Sequence, residues 1–246
     1  MARALHPTRN LIGAGAATAA LFGTGLIALN WLRYGKTNPK RGHPDRLLDH
    51  FMPSYEVREY HETRVAAPAD LTFAVARELD MQGSGLLRAI FKGRELLMGA
   101  APGERRKPQS LLSEVLALGW RILAEDLGRE LVLGAVTQPW EAEVKFRGLP
   151  SEEFAQFQEP GYAKIAWTMV VEPTGPGSSI FRTETRVATT DSESRRRFRR
   201  YWSMVSPGVV LIRREMLRLV RAEAGRRYRS SSLVAALPSS SNRTAS

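Results

Sequence analysis

Two side chains in this sequence could hold or move a proton if the fold encloses them. His61 lies beside Glu59 and Glu62 on the alternating stretch Tyr55 to Val65, and Glu184 lies between Arg182 and Arg186 on Ile180 to Val187. An imidazole titrates near neutral pH, and a carboxyl shut away from water is pushed towards its neutral form, so either could serve as a general acid or base. The alternation sets Glu184 opposite Phe181 and Thr183, on a face where Arg182, Glu184 and Arg186, with Glu141 and Glu143, would form cross-strand ion pairs towards solvent. A reversed register would instead turn Glu184 inward and make it a candidate general acid or base. His61 reads first as a satisfied surface or core histidine, and a catalytic role is the lesser reading. These are the only catalytic candidates the sequence offers.

Other chemistries find no residues. His6, His43 and His50 lie in the N-terminal region, no histidine pair has ligand spacing on one element, and there is no cysteine. Thiolate zinc sites, iron–sulfur clusters, disulfides and cysteine nucleophiles are excluded, and no metal or cofactor is expected. Gly83-Ser84-Gly85 lacks the lysine and spacing of a phosphate loop, and no Gly-x-Ser-x-Gly elbow occurs.

The elements that must position the candidates follow from periodicity. Tyr55 to Val65 alternates as a strand, and Ala67-Pro68-Ala69-Asp70 starts a helix with proline in its first turn. Gly83-Ser84-Gly85 separates that helix from a second over 86–98. Trp120 to Glu125 and Glu130 to Val136 form a hairpin. Trp140 to Arg147 alternates as a half-buried strand, and Ala163 to Glu172 pairs with Ser179 to Ala188. Asp191 to about Arg227 is one long amphipathic helix, whose seam includes Phe198, Trp202, Val205, Val209 and Met216. Ser206-Pro207-Gly208 interrupts it, where proline removes a hydrogen bond and should kink or split the helix.

This order resembles the helix-grip fold of the START-like superfamily, which includes polyketide cyclases and lipid-transfer domains. The opening Tyr55 to Asp70, the strand Ile180-Phe181-Arg182-Thr183-Glu184-Thr185-Arg186-Val187 and the closing helix carry the resemblance, over roughly residues 54–226. It implies an α+β domain over 54–228, in which a curved antiparallel sheet wraps the last helix around a hydrophobic ligand. On that basis Trp120, Trp140, Phe146, Trp167 and Met169 would line the cavity from the sheet side. Phe181, Thr183 and Thr185 would join them, facing Phe198, Trp202, Val205 and Val209 of the helix. A filled core of the same residues is the alternative. Pro207 and Gly208 would form a gate. The resemblance implies a carrier or binding domain for a small hydrophobic molecule such as a lipid or polyketide-like compound. A cyclase or dehydratase of the same fold using an inward-facing acid, and a non-catalytic membrane or partner interaction module, are the alternatives.

The ends add a membrane expectation. After a short tail over 1–10, residues 11–32 carry no charge, and as a helix they would span roughly 33 Å, enough for a hydrocarbon core. A cleaved signal peptide is the competing reading. Residues 33–53 form a basic linker, whose charge excess favours a cytosolic domain on a single-pass anchor, while a conventional export reading places it outside. Residues 229–246 form a Ser-rich tail expected to be disordered. The net charge of +11 draws the protein to phosphates. Arg195, Arg196, Arg199 and Arg200 form its densest cluster, suited to anionic lipid headgroups or to a solvated face. Nucleic acid is disfavoured, because no known binding module is present.

Overall fold

The computed structural model describes residues 46–80 and 110–236. The expected membrane segment 11–32, most of the linker, the helix over 86–98 and the last ten residues lie outside them. The described elements are α1 (Arg46–Phe51), β1 (Val57–Val65), α2 (Ala69–Glu78), α3 (Leu111–Ala117), β2 (Arg121–Asp126) and β3 (Glu130–Thr137). There follow β4 (Phe146–Arg147), α4 (Ser151–Gln156), β5 (Ala163–Gly175), β6 (Ser178–Thr189) and α5 (Ser192–Ala236). No described helix is long and apolar enough to cross a membrane.

All strands pair antiparallel in the order β1-β6-β5-β3-β2, with the short β4 beside β3. Directly opposed residues share a face. The register therefore puts Val57, Glu59, His61 and Val65 of β1 on the same side as Val187, Thr185, Thr183 and Ser179 of β6. Ile165, Trp167 and Met169 of β5, with Leu133 and Leu131 of β3, continue that side. It is the inner face, covered by α5, α2 and α3.

Two apolar clusters build the inner layer. One joins Phe73 and Val75 of α2 and Leu111 of α3 to Trp167, Met169 and Phe181, and to Met216, Leu217 and Val220 of α5. The other joins Val57 and Val187 to Phe198 and Trp202 near the start of α5. The two rings stack, 5.6 Å apart and 21° from parallel. A third cluster lies on the outer face, where α1 and α4 bring Leu48, Phe51 and Phe154 onto Val132, Val136 and Ala166. Gly134 permits it, since a Cβ there would lie 2.5 Å from Leu123 Cδ1 and 3.0 Å from the Phe154 ring.

The structure departs from the sequence reading at four places. Trp140 to Lys145 is not a strand, and only Phe146 and Arg147 pair, with Thr137 and Val136. Ala142 is exposed and Trp140 packs on the Phe198 cluster from a turn. Alternation supplied a pattern there but no partner to hold it. Second, Pro207 does not split α5, which is continuous over 45 residues. Proline forfeits one backbone bond, and the buried seam on both sides, Trp202 before it and Met216 after it, holds the axis. Third, α5 continues through Arg229 to Ala236, into the expected tail. Fourth, α1 occupies the end of the expected linker and covers the outer face.

Asp191 caps α5. Its Oδ1 accepts from the backbone N–H groups of Glu193 and Ser194, both at 2.8 Å, and its Oδ2 accepts from Gly161 N at 2.6 Å and Ser194 Oγ at 2.7 Å. The Ser194 hydroxyl and these N–H groups hold the Asp191 carboxyl well below its ordinary value of 3.8. A depressed folded pKa gives stability that is complete above the ordinary value and is lost as pH falls through the folded one. Asp191→Asn should therefore lower Tm at pH 7, and its deficit against the parent should shrink as thermal melts are taken below pH 4.

Candidate functional site

Between the two inner clusters the layer is polar. Glu59 faces Thr185 across the β1–β6 ladder, and His61 faces Thr183. Trp167 on β5 is opposed to Thr185, and its Nε1 donates to Thr183 Oγ1 at 2.6 Å. Arg213 descends onto this group from α5. It donates from Nη2 to Thr185 Oγ1 at 2.6 Å, and its guanidinium carbon lies 4.7 Å from the centre of the Trp167 ring. Stacking a guanidinium on an indole face keeps the cation on a partly apolar support.

The electrostatics are those of a small enclosed ion group. Burial pulls the Arg213 pKa down to about 10, against the opposing field of Glu59. The guanidinium thus remains cationic at neutral pH. Glu59 is buried, and its Oε2 lies 3.5 Å from His61 Nε2. That separation is too long for a good hydrogen bond. His61 Nε2 is shielded from solvent and makes no hydrogen bond within the described residues. A cation, a carboxylate and an imidazole therefore lie close together with two threonine hydroxyls and an indole. Such a group can orient a polar substituent, and it holds the parts of an acid–base pair.

The expected lining residues divide. Trp167, Met169, Phe181, Thr183 and Thr185 lie on the inner face, and Phe198, Trp202, Val205 and Val209 meet it from α5. Trp120 and Phe146 pack on each other, with ring centres 5.4 Å apart, just before β2 and on β4. Trp140 joins the Phe198 cluster from its turn.

Glu184 is elsewhere. It lies on the outer face, where Arg58 grips its carboxylate with two hydrogen bonds of 2.8 Å and Arg186 adds a third of 2.7 Å. Arg186 continues to Asp49 Oδ1 and Met52 O on the α1 side, with its guanidinium 4.6 Å from the Tyr55 ring. The forward register is the correct one, but that part of the face is not solvated. Glu184 and Arg186 are 3% and 2% exposed, because α1 lies over them. Their partners are Arg58 and Asp49 rather than Glu141 and Glu143.

The arginine cluster at the start of α5 is partly neutralised. Arg195 pairs with buried Glu56 at 2.8 Å, and Arg196 pairs with Glu193. Arg199 is partly buried and Arg200 is exposed.

Glu59 and Arg213 are the site residues that sequence reasoning passed over. Both had a readable signal. Glu59 sits two residues from His61 and two from Val57 on one strand, hence on one face. Arg213 falls four residues after Val209 and three before Met216, on the apolar seam of its helix rather than on the basic face.

No protein-family model matches the chain, and no curated protein matches it. Similar solved structures include truncated norcoclaurine synthase from Thalictrum flavum, at 14% identity and a TM-score of 0.30, over 65% of this chain and 90% of that one. The Zhui aromatase/cyclase from Streptomyces sp. R1128 aligns at 15% identity and a TM-score of 0.29, over 71% and 97%. A hypothetical protein from Helicobacter pylori aligns at 8% identity and a TM-score of 0.34, over 77% and 98%. The strand order and the buried seam of α5 are themselves decisive for the architecture. The chain has a helix-grip arrangement, an antiparallel sheet packed against one long C-terminal helix. Among the described residues no group of three or more histidine or acidic side chains is arranged to hold a metal ion.

Proposed function

We propose that this domain binds a small, mainly apolar molecule in the grip between the sheet and α5, and that Arg213, Glu59 and His61 meet a polar group on it. The observation that carries the reading is the ion group itself. A core built only for stability gains little from a buried cation and carboxylate, since apolar residues of similar volume would serve as well or better. A ligand with one polar end would use them. The apolar walls on either side, Trp167 and Met169 on one and Phe198 and Trp202 on the other, suit its body. Residues 11–32 would hold the domain at a bilayer, where such molecules reside, and the arginines near the start of α5 would face anionic headgroups there.

The test is energy transfer from protein tryptophan to cis-parinaric acid, using the purified full-length chain. Saturable transfer that excess oleate abolishes is expected. Arg213→Lys, which keeps the charge but loses the stacked fork, should weaken binding about tenfold, the scale of one charge-assisted hydrogen bond. A chain that shows no displaceable transfer does not carry such a ligand.

A second reading rests on His61, whose shielded Nε2 lies 3.5 Å from a buried carboxylate. In it the pair acts as acid and base on a cyclising or dehydrating substrate. His61→Gln would then abolish turnover and leave parinaric acid binding intact, whereas a pure carrier has no turnover to lose.

A further inference from the structure

The outer face carries a pocket of about 340 Å³ that the inner site does not use. Its walls include Phe51 and Met52 at the end of α1, Phe157 after α4, and Lys164, Ala188 and Arg195. Lys164 is opposed to Ala188 on β6 and Val136 on β3, so it belongs to the side of the sheet away from the Arg213 group.

Lys164 is 8% exposed. Its Nζ donates to Ala155 O at 2.9 Å and lies 5.1 Å from the centre of the Phe154 ring. Among the described residues it has no carboxylate partner. The nearby Glu56 is committed elsewhere, accepting from Thr189 Oγ1 at 2.7 Å and Arg195 Nε at 2.9 Å. Burial pushes the Lys164 amine below its ordinary value. An ammonium with three donors, one carbonyl acceptor and no counter-ion is an expensive group to enclose, and an anion in the adjoining pocket would relieve that cost.

We infer that this pocket is a second binding site, for a small monocarboxylate with an apolar body, whose carboxylate pairs with Lys164 and whose body packs on Phe51, Met52 and Phe157. The volume lies at the lower end of small-molecule sites, which sets the size of the body to a ring or a short chain. Arg195, at the same wall, keeps the field positive although Glu56 holds it. The site is independent of the reading for the inner grip, since the sheet separates them.

Isothermal titration of the full-length chain with benzoate and hexanoate tests it. Saturable binding of at least one is expected. Lys164→Met should weaken it at least about tenfold, the worth of a charge-assisted hydrogen bond, and Lys164→Arg should retain most of it. Hexanol should bind far more weakly than hexanoate, and Arg213→Met should leave the titration unchanged. No saturable binding to the parent chain overturns the inference. So does binding that survives Lys164→Met, binding of hexanol equal to hexanoate, or binding lost in Arg213→Met but kept in Lys164→Met. Thermal melts and parinaric acid transfer show whether each variant keeps its fold and its inner site.

Discussion

Replacing Glu184 with Gln should lower the unfolding free energy by about 3 kcal/mol, because it removes the buried carboxylate that two arginines share. Arg58 and Arg186 both direct hydrogen bonds at that carboxylate. Burial is the largest single effect and pulls the pKa of each guanidinium down, but the hydrogen bonds and charge of Glu184, joined at Arg186 by those of Asp49, together make the net shift upward for both. With Gln in place one oxygen and the charge are lost, while Arg186 stays 2% exposed under α1. For a domain of this size the loss corresponds to roughly 6–12 °C in Tm. Urea unfolding at pH 7 would measure it directly. Arg182→Gln is the control on the same strand. Its partners Glu62 and Glu172 are 49% and 38% exposed, so it should cost less than about 1 kcal/mol. Equal losses from the two substitutions would mean that α1 does not enclose the Glu184 group.

The contrast between those two residues shows where sequence reasoning succeeds and where it stops. Alternation correctly separated Phe181, Thr183 and Thr185 from Arg182, Glu184 and Arg186, because a strand has a fixed period of two. It gave no information on what lies above each face. Charged residues on one side suggest water, yet Arg186 is buried by a short helix that the proline-punctuated stretch before Tyr55 conceals. The same gap explains Trp140 to Lys145. Their alternation is as regular as that of β6, but a strand needs a ladder partner, and β3 offers β4 only Val136 and Thr137. The long closing helix was the most legible element, since its seam repeats over many turns, and Pro207 did not overcome that packing. Within the candidate site, His61 was visible as a residue type of interest. Its importance depends on Arg213, which reads as one of many basic residues until its place on the seam is counted.

That dependence makes Arg213 the most informative position on the inner face. Arg213→Met fills similar volume and removes the positive charge whose field acts on buried Glu59. It should cost about 2 kcal/mol, since the charge-assisted hydrogen bond to Thr185 and the stacking on Trp167 are lost together. Glu59→Gln added to that background should recover at least about 1 kcal/mol, because the second substitution removes the carboxylate that the Arg213 field had favoured. Unfolding of the parent, both single variants and the double variant completes the cycle. Strict additivity would mean that the two groups do not share a field, and the enclosed ion group would dissolve into separate surface interactions. Coupling, in contrast, carries a functional consequence. If the double variant approaches parental stability, the ion group adds little to the fold, and an apolar filling would hold the sheet to α5 equally well. Parinaric acid transfer to the double variant then separates structure from use. A stable protein that has lost its binding assigns the group to the ligand, since only the ligand would still require a cation and a carboxylate at that depth.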